Sequence, residues 1–335
     1  IVLSVVGLVY SYSTPKARTV WLAGLMGLFS ALAILTRGLF ILLPFWALLV
    51  IWLDWAEKPT SGLQLTGKNL DYSWRMAVNR LHHIYPVLLA FIVPFSLLIG
   101  LWVSFIRHYY NQWGLETIGG YRLVQNTGSF FELVPDEYAA LRDTYLKYRD
   151  AKIDRTGTQT NAIWKAIPEM MAASGLGFYD LSRLVTKLSL DLIREHPDLY
   201  LKNVAEGWWL FWRAPVYWEP DSVRLSGAVP ALAAIIFVER LILWGVNAFF
   251  LLSSLGIILP MFRRRWNLSP ILGYLAGLIW STSILQSFLD HGDNPRFLVP
   301  LQSFLVLWAL WFGFRFLGQD EIEIEQECKR DDACR

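Results

Sequence analysis

Residues Leu22 to Leu49 read LAGLMGLFSALAILTRGLFILLPFWALL. Two apolar runs, Val20 to Leu35 and Leu39 to Leu53, are separated only by Thr36-Arg37-Gly38. A membrane-spanning helix needs about 17 to 25 mostly apolar residues. The stretch therefore predicts two short spans joined by a tight turn that carries one arginine. An arginine so placed is costly unless it snorkels to the interface or meets an anion.

The rest of the chain has the same character. Charged residues make up 17% of 335 positions, against roughly 25% in an average soluble domain, so the charge needed to cover a water-facing surface is missing. Aromatic residues reach 15%, with 17 Trp, a residue enriched where membrane meets water. A net charge of +2 implies no acidic partner and argues against nucleic-acid binding. The composition leaves an all-α, polytopic membrane protein.

Further spans are expected at Tyr85 to Ile106, Leu241 to Met261, Pro270 to Phe288 and Val299 to Phe316, six in all, after a truncated span at Ile1 to Tyr12. Pro230 to Val238 reads as an interfacial helix or as an extension of the span that follows Glu239-Arg240. Lys16 and Arg18, the basic residues of the loop Trp55 to Ile84, and Arg263 to Arg265 fall on one side when the spans alternate. Basic clusters mark the cytoplasmic side. The expected organisation is membrane helices over 1–106 with an inner amphipathic loop at 55–84, an extracytoplasmic and mostly helical cap over 107–239, membrane helices over 240–318, and an acidic cytoplasmic tail over 319–335 that is read as disordered. Leu70 to Ile84, which alternates basic and apolar residues, is expected to lie on the anionic inner leaflet.

Within the cap, Leu181, Leu184, Val185, Leu188, Leu192 and Ile193 repeat at helical spacing. His196-Pro197 ends that helix, and Pro197 starts another that runs to the Trp-rich end at Trp208 to Trp212. Glu137 to Asp150 is a third helix, whereas Gly119-Gly120-Tyr121 and Asn126-Thr127-Gly128 read as turns.

No phosphate-binding loop, dinucleotide fingerprint, HExxH or CxxC is present, and the spacing of Cys328 and Cys334 fits no common zinc pattern. No cofactor is required, although the outer carboxylates leave a divalent cation open. The suggestive set lies on the outer face. Arg37 sits at one helix mouth, and Arg296 sits at another beside Asp290, His291 and Asp293. Arginine binds phosphate bidentately and stays charged. Two such residues would suit a phosphate held at bilayer depth, as on a polyprenyl-phosphate lipid. The competing reading has each arginine snorkelling or paired to a carboxylate.

At these residues the sequence resembles a known family. Leu22 to Leu49 is similar to the Gly-rich helix, Leu-Thr-Arg turn and following helix of the dolichyl-phosphate-mannose–protein mannosyltransferase-like glycosyltransferases, integral-membrane GT-C enzymes that include the aminoarabinose transferases of lipid A. HGDNPRFLVPLQSFLVLWA (His291 to Ala309) resembles their late outer turn and last helix, and IREHPDLYLKNVAEGWWLFW (Ile193 to Trp212) an outer helix pair of bacterial members. The resemblance implies transfer of a sugar from a polyprenyl-phosphate-linked donor to a glycan, lipid or protein acceptor on the extracytoplasmic face, in a bacterial cytoplasmic membrane. It assigns Arg37 and Arg296 to the departing phosphate and places the catalytic Asp in a first outer loop upstream of Ile1. By that reading this chain is inactive alone. A transporter or flippase and a non-catalytic scaffold are the alternatives. The near absence of ionisable residues within the spans speaks against the transporter.

Overall fold

The computed structural model describes residues 16–49, 70–213, 226–256, 270–291 and 297–330, and every regular element among them is helical. The expected stump at Ile1 to Tyr12, the loop over 55–69, Arg263 to Arg265, Asp293 and Arg296 lie outside the described residues. Among those described, three helices are long and apolar enough to cross a membrane: Tyr85–Tyr110, Val229–Gly256 and Leu272–Leu289. Val20–Thr36, Gly38–Leu49 and Val299–Phe314 are apolar but shorter.

The chain forms two compact units, with boundaries after Ala205, after Leu268 and after His291. The first contains α1 (Lys16–Thr36), α2 (Gly38–Leu49), α3 (Leu70–Tyr110), α4 (Gly119–Thr127), α5 (Ala139–Thr156), α6 (Ala162–Ser174), α7 (Phe178–Glu195), the start of α8 (Pro197–Arg213), and α10 (Pro270–Leu289). The second contains the end of α8, α9 (Val229–Gly256) and α11 (Val299–Arg330).

In the first unit, α1 packs along α3 through small residues. A Cβ on Gly27 would run into the Phe91 carbonyl, and one on Gly24 would sit 3.4 Å from the Ala90 carbonyl. Small residues of this kind let backbones approach in a membrane, where no hydrophobic force drives helices together. Trp46 of α2 lies across Gly277 of α10 and donates its indole N–H to Ser281 Oγ at 2.9 Å.

Residues 118–204 build a helical domain with its own apolar core. Tyr121 and Val124 of α4, Leu141 and Tyr145 of α5, Ile163, Ile167 and Met170 of α6, and Leu181, Val185, Leu188 and Leu192 of α7 are all buried in it. The apolar face read from the sequence of α7 is the face that packs. Helix ends follow local chemistry. Gly157 (φ 71°) and Gly175 (φ 68°) close α5 and α6 in the left-handed region, and Pro197 opens α8 directly after His196.

In the second unit, Trp212 stacks on Phe250, which meets Trp308 edge-on. Asn247 Nδ2 donates to the Trp212 carbonyl at 2.9 Å, and Trp308 Nε1 donates to Ser253 Oγ at 2.9 Å.

Three expectations are corrected, and one left open between two readings is decided. Gly119 to Thr127 is a helix, not a pair of turns, because Gly120 lets α4 lie against the backbone of Ser182 in α7, and burial on that face outweighs the glycine's weak propensity. Leu70 to Ile84 is no separate surface helix but the start of α3, whose 41 residues Pro86 and Pro94 do not interrupt. Of the two readings of Pro230 to Val238, extension of the span is the one observed, because the segment continues without a break as α9. The tail is helical to Arg330, since after Gly318 it holds no Gly or Pro and is rich in Glu and Gln.

Candidate functional site

The sequence-predicted residues that are described lie at two helix ends of the first unit. Arg37 is the break between α1 and α2. Its backbone is extended (φ −149°, ψ 110°), its N–H still reaches the Ala33 carbonyl at 2.9 Å, and its own carbonyl accepts from Phe40 N at 3.0 Å. Thr36 Oγ1 also donates to the Ala33 carbonyl, at 2.8 Å. The two helices thus change direction within a single residue, which carries a half-buried guanidinium.

Asp290 and His291 end α10. Asp290 is buried (9% exposed), and its amide donates to the Gln286 carbonyl at 2.8 Å. The last four carbonyls of a helix have no partner within it. Here two of them are met from the helical domain. Asn126 Nδ2 donates to the carbonyls of Ser287 (2.8 Å) and Phe288 (3.2 Å), and the Tyr200 hydroxyl donates to that of Phe288 at 2.6 Å. Asn203 Nδ2 in turn donates to the Asn126 carbonyl at 2.6 Å and to Ser129 Oγ at 2.5 Å. Thr127 and Ser189 hydroxyls share a buried hydrogen bond of 3.0 Å beside this layer. Burial pushes the Tyr200 hydroxyl above its ordinary value, so it stays protonated and able to donate. Burial likewise takes Tyr121 up to about 12 and raises Tyr145.

Other acids of the outer region are held in ion pairs. Glu132 pairs with Arg149 at 2.5 Å, and Arg149 also holds Asp150 at 2.8 Å. Arg142 makes the equivalent pair with Asp136 and Asp143 one stretch away. These two arginines tie α5 to the segment before it. Among the described residues, no three His, Cys, Asp or Glu side chains gather as a metal site.

Asn126, Tyr200 and Asn203 were missed in the sequence. Asn126 was hidden in an apparent turn, and nothing local distinguishes an amide that caps a helix 161 residues away. The one available signal was the buried face of α8 on which Tyr200, Asn203 and Val204 lie together. No family model, curated protein or solved structure matches this chain.

Proposed function

We propose that this chain belongs to a membrane glycosyltransferase that moves a sugar from a polyprenyl-phosphate-linked donor to an acceptor on the extracytoplasmic face, with the multi-span GT-C arrangement its sequence resembles. The observation that carries the reading is Arg37, a half-buried cation at a one-residue break between two apolar helices. Arg37 and Asp290 each lie nine residues from the Trp46–Ser281 hydrogen bond. With α2 and α10 antiparallel, as alternating spans require, both residues lie on the outer side of that bond, at roughly 1.5 to 2 Å of rise per residue. Cation, carboxylate and His291 then share that outer side, where a lipid-borne phosphate and its sugar would stand.

The chemistry is a displacement. The acceptor oxygen bonds to the anomeric carbon while the bond from that carbon to the phosphate oxygen breaks. The pair of electrons leaves on the polyprenyl phosphate, and the acceptor proton passes to a carboxylate base. Arg37, with Arg296, stabilises the charge that develops on the phosphate. No residue of this chain is assigned as the base.

The test is binding of polyprenyl phosphate, and of the matching uncharged polyprenol, to the chain in nanodiscs. A charge-assisted hydrogen bond contributes about 1.5 to 3 kcal/mol. Arg37→Ala is therefore expected to weaken phosphate binding about 10-fold or more, with polyprenol binding unchanged. Equal affinity of the wild type for phosphate and alcohol would sink the proposal.

A further inference from the structure

Among the described residues, the end of α10 is capped by side chains of the helical domain over 118–204. Three hydrogen bonds from two donor groups reach two carbonyls of its last turn, from α4 (Asn126) and α8 (Tyr200). Asn126 is fully buried, and Tyr200 and Asn203 are each 9% exposed, so little water reaches these groups. Both acceptors of Asn126 are carbonyl oxygens, which fixes its amide nitrogen, not its oxygen, on that side. Asn203 then holds the backbone of Asn126 in place. A buried carbonyl stripped of its donor carries a desolvation cost, so the last turn is stable only while the domain is seated on it.

Two residues beyond Phe288 stands Asp290, whose amide closes that same last turn on Gln286. We propose that Asn126 and Tyr200 are positioning residues, which set the place of Asp290 and His291 by clamping the carbonyl end of α10 to the helical domain. The assignment rests on reading Asp290 and His291 as part of the sugar-transfer site. The clamp itself needs no such reading. Asn203 supports the clamp at second hand, through the Asn126 carbonyl and Ser129.

The consequence is directional. A displacement of the helical domain that breaks these bonds frees the last turn of α10 before it disturbs the lower part of that helix. The lower turns have their own support, with Ser283 Oγ on the Trp280 carbonyl, Ser287 Oγ on the Ser283 carbonyl, and Trp46 on Ser281.

Amide hydrogen exchange of the full chain in nanodiscs tests this. Tyr200→Phe removes one hydroxyl and leaves the ring against Phe288, while Asn126→Asp keeps the shape and replaces the donor with an acceptor. Leu181→Ala serves as a control that loosens the domain core without touching the clamp. Tyr200→Phe should speed exchange of the amides over 288–291 about 10-fold, and Asn126→Asp by more, with protection over 119–195 retained. Leu181→Ala should instead speed exchange across 119–195. No change over 288–291 in Tyr200→Phe, or a rise spread evenly over the domain as in the control, would overturn the clamp. Should Asn126→Asp fail to fold, Tyr200→Phe alone decides. A wild type that binds phosphate and alcohol equally would remove the transferase reading and leave the exchange result standing.

Discussion

The helical domain over 118–204 and the helix Tyr85–Tyr110 belong to the same unit but are stabilised in opposite ways. The domain buries a continuous apolar core. In the most apolar stretch of Tyr85–Tyr110, only 6% of residues are buried, and Val93, Leu97 and Leu101 are all more than half exposed. Its counterpart Leu272–Leu289 is 56% buried, with Leu278 and Ile279 fully enclosed. Apolar sequence alone does not distinguish these cases. Where side chains point inward, deleting one leaves a cavity. Where they point toward lipid, the chain environment replaces what is lost.

The sharpest way to break this contrast is a matched pair of truncations. Leu181→Ala empties a fully buried position and is expected to cost about 2 to 5 kcal/mol. Leu97→Ala, at 61% exposed, should stay within about 0.5 kcal/mol, as substitutions away from packed features do. Denaturant unfolding in micelles, followed by exchange within each region, measures both. Comparable losses at the two positions would mean that the outward face of α3 is packed against something.

Close backbone approach gives the next largest effect. Gly120→Val and Gly27→Val each drive a side chain into a carbonyl, of Ser182 in one case and Phe91 in the other. Backbone cannot swing aside as a side chain can, so overpacking should cost about 1 to 3 kcal/mol at each site. The comparison is sharpened by where the loss appears: in the melting of the domain for Gly120, and in the protection of α1 and α3 for Gly27.

How far these features were legible follows from the range of the forces involved. The apolar periodicity of α7, the Pro197 start and the Thr36-Arg37-Gly38 break are local, and each was read from its own residues. Gly120 was misread because what makes it helical is Ser182, 62 positions away in sequence. The clamp at Asn126 was invisible for the same reason. The span over Tyr85 to Ile106 with Pro86 and Pro94 inside it was legible, because proline is tolerated in spanning helices, while its continuity with Leu70 to Ile84 was not. Of the candidate site, the positions of Arg37, Asp290 and His291 at helix ends were legible, while the domain that caps α10 was not.

The buried tyrosines of the helical domain set an alkaline limit on its stability. Tyr121, Tyr145 and Tyr200 are all raised by burial, Tyr121 to about 12. Each is neutral in the fold, and the unfolded chain ionises near pH 10. Their contribution is therefore complete below pH 10 and declines above it, through the folded value of each. Exchange over 119–195 should begin to rise between pH 10 and 12, with 288–291 rising alongside as Tyr200 loses its proton. Tyr200→Phe should flatten the response at 288–291, and an unchanged response there would detach Tyr200 from it.

The smallest effect is expected on the domain's wet side, where Lys147 Nζ holds both oxygens of Glu169 at 2.9 Å and the Tyr148 hydroxyl donates to the same carboxylate at 2.8 Å. The hydrogen bond from Lys147 and then that from Tyr148 hold the Glu169 carboxyl below its ordinary value. A depressed carboxylate stabilises the fold above the unfolded value, and that contribution fades as pH falls through the folded one. Lys147→Ala should therefore change the acid side of the domain's unfolding profile and leave neutral pH almost untouched, because exposed ion pairs are weakened by water and salt. Added salt should shrink the difference between variant and wild type. A loss at neutral pH as large as that of Leu181→Ala would show that the wet face shares in the core's stability, and the contrast between a buried and a solvated side of α5 and α6 would have to be redrawn.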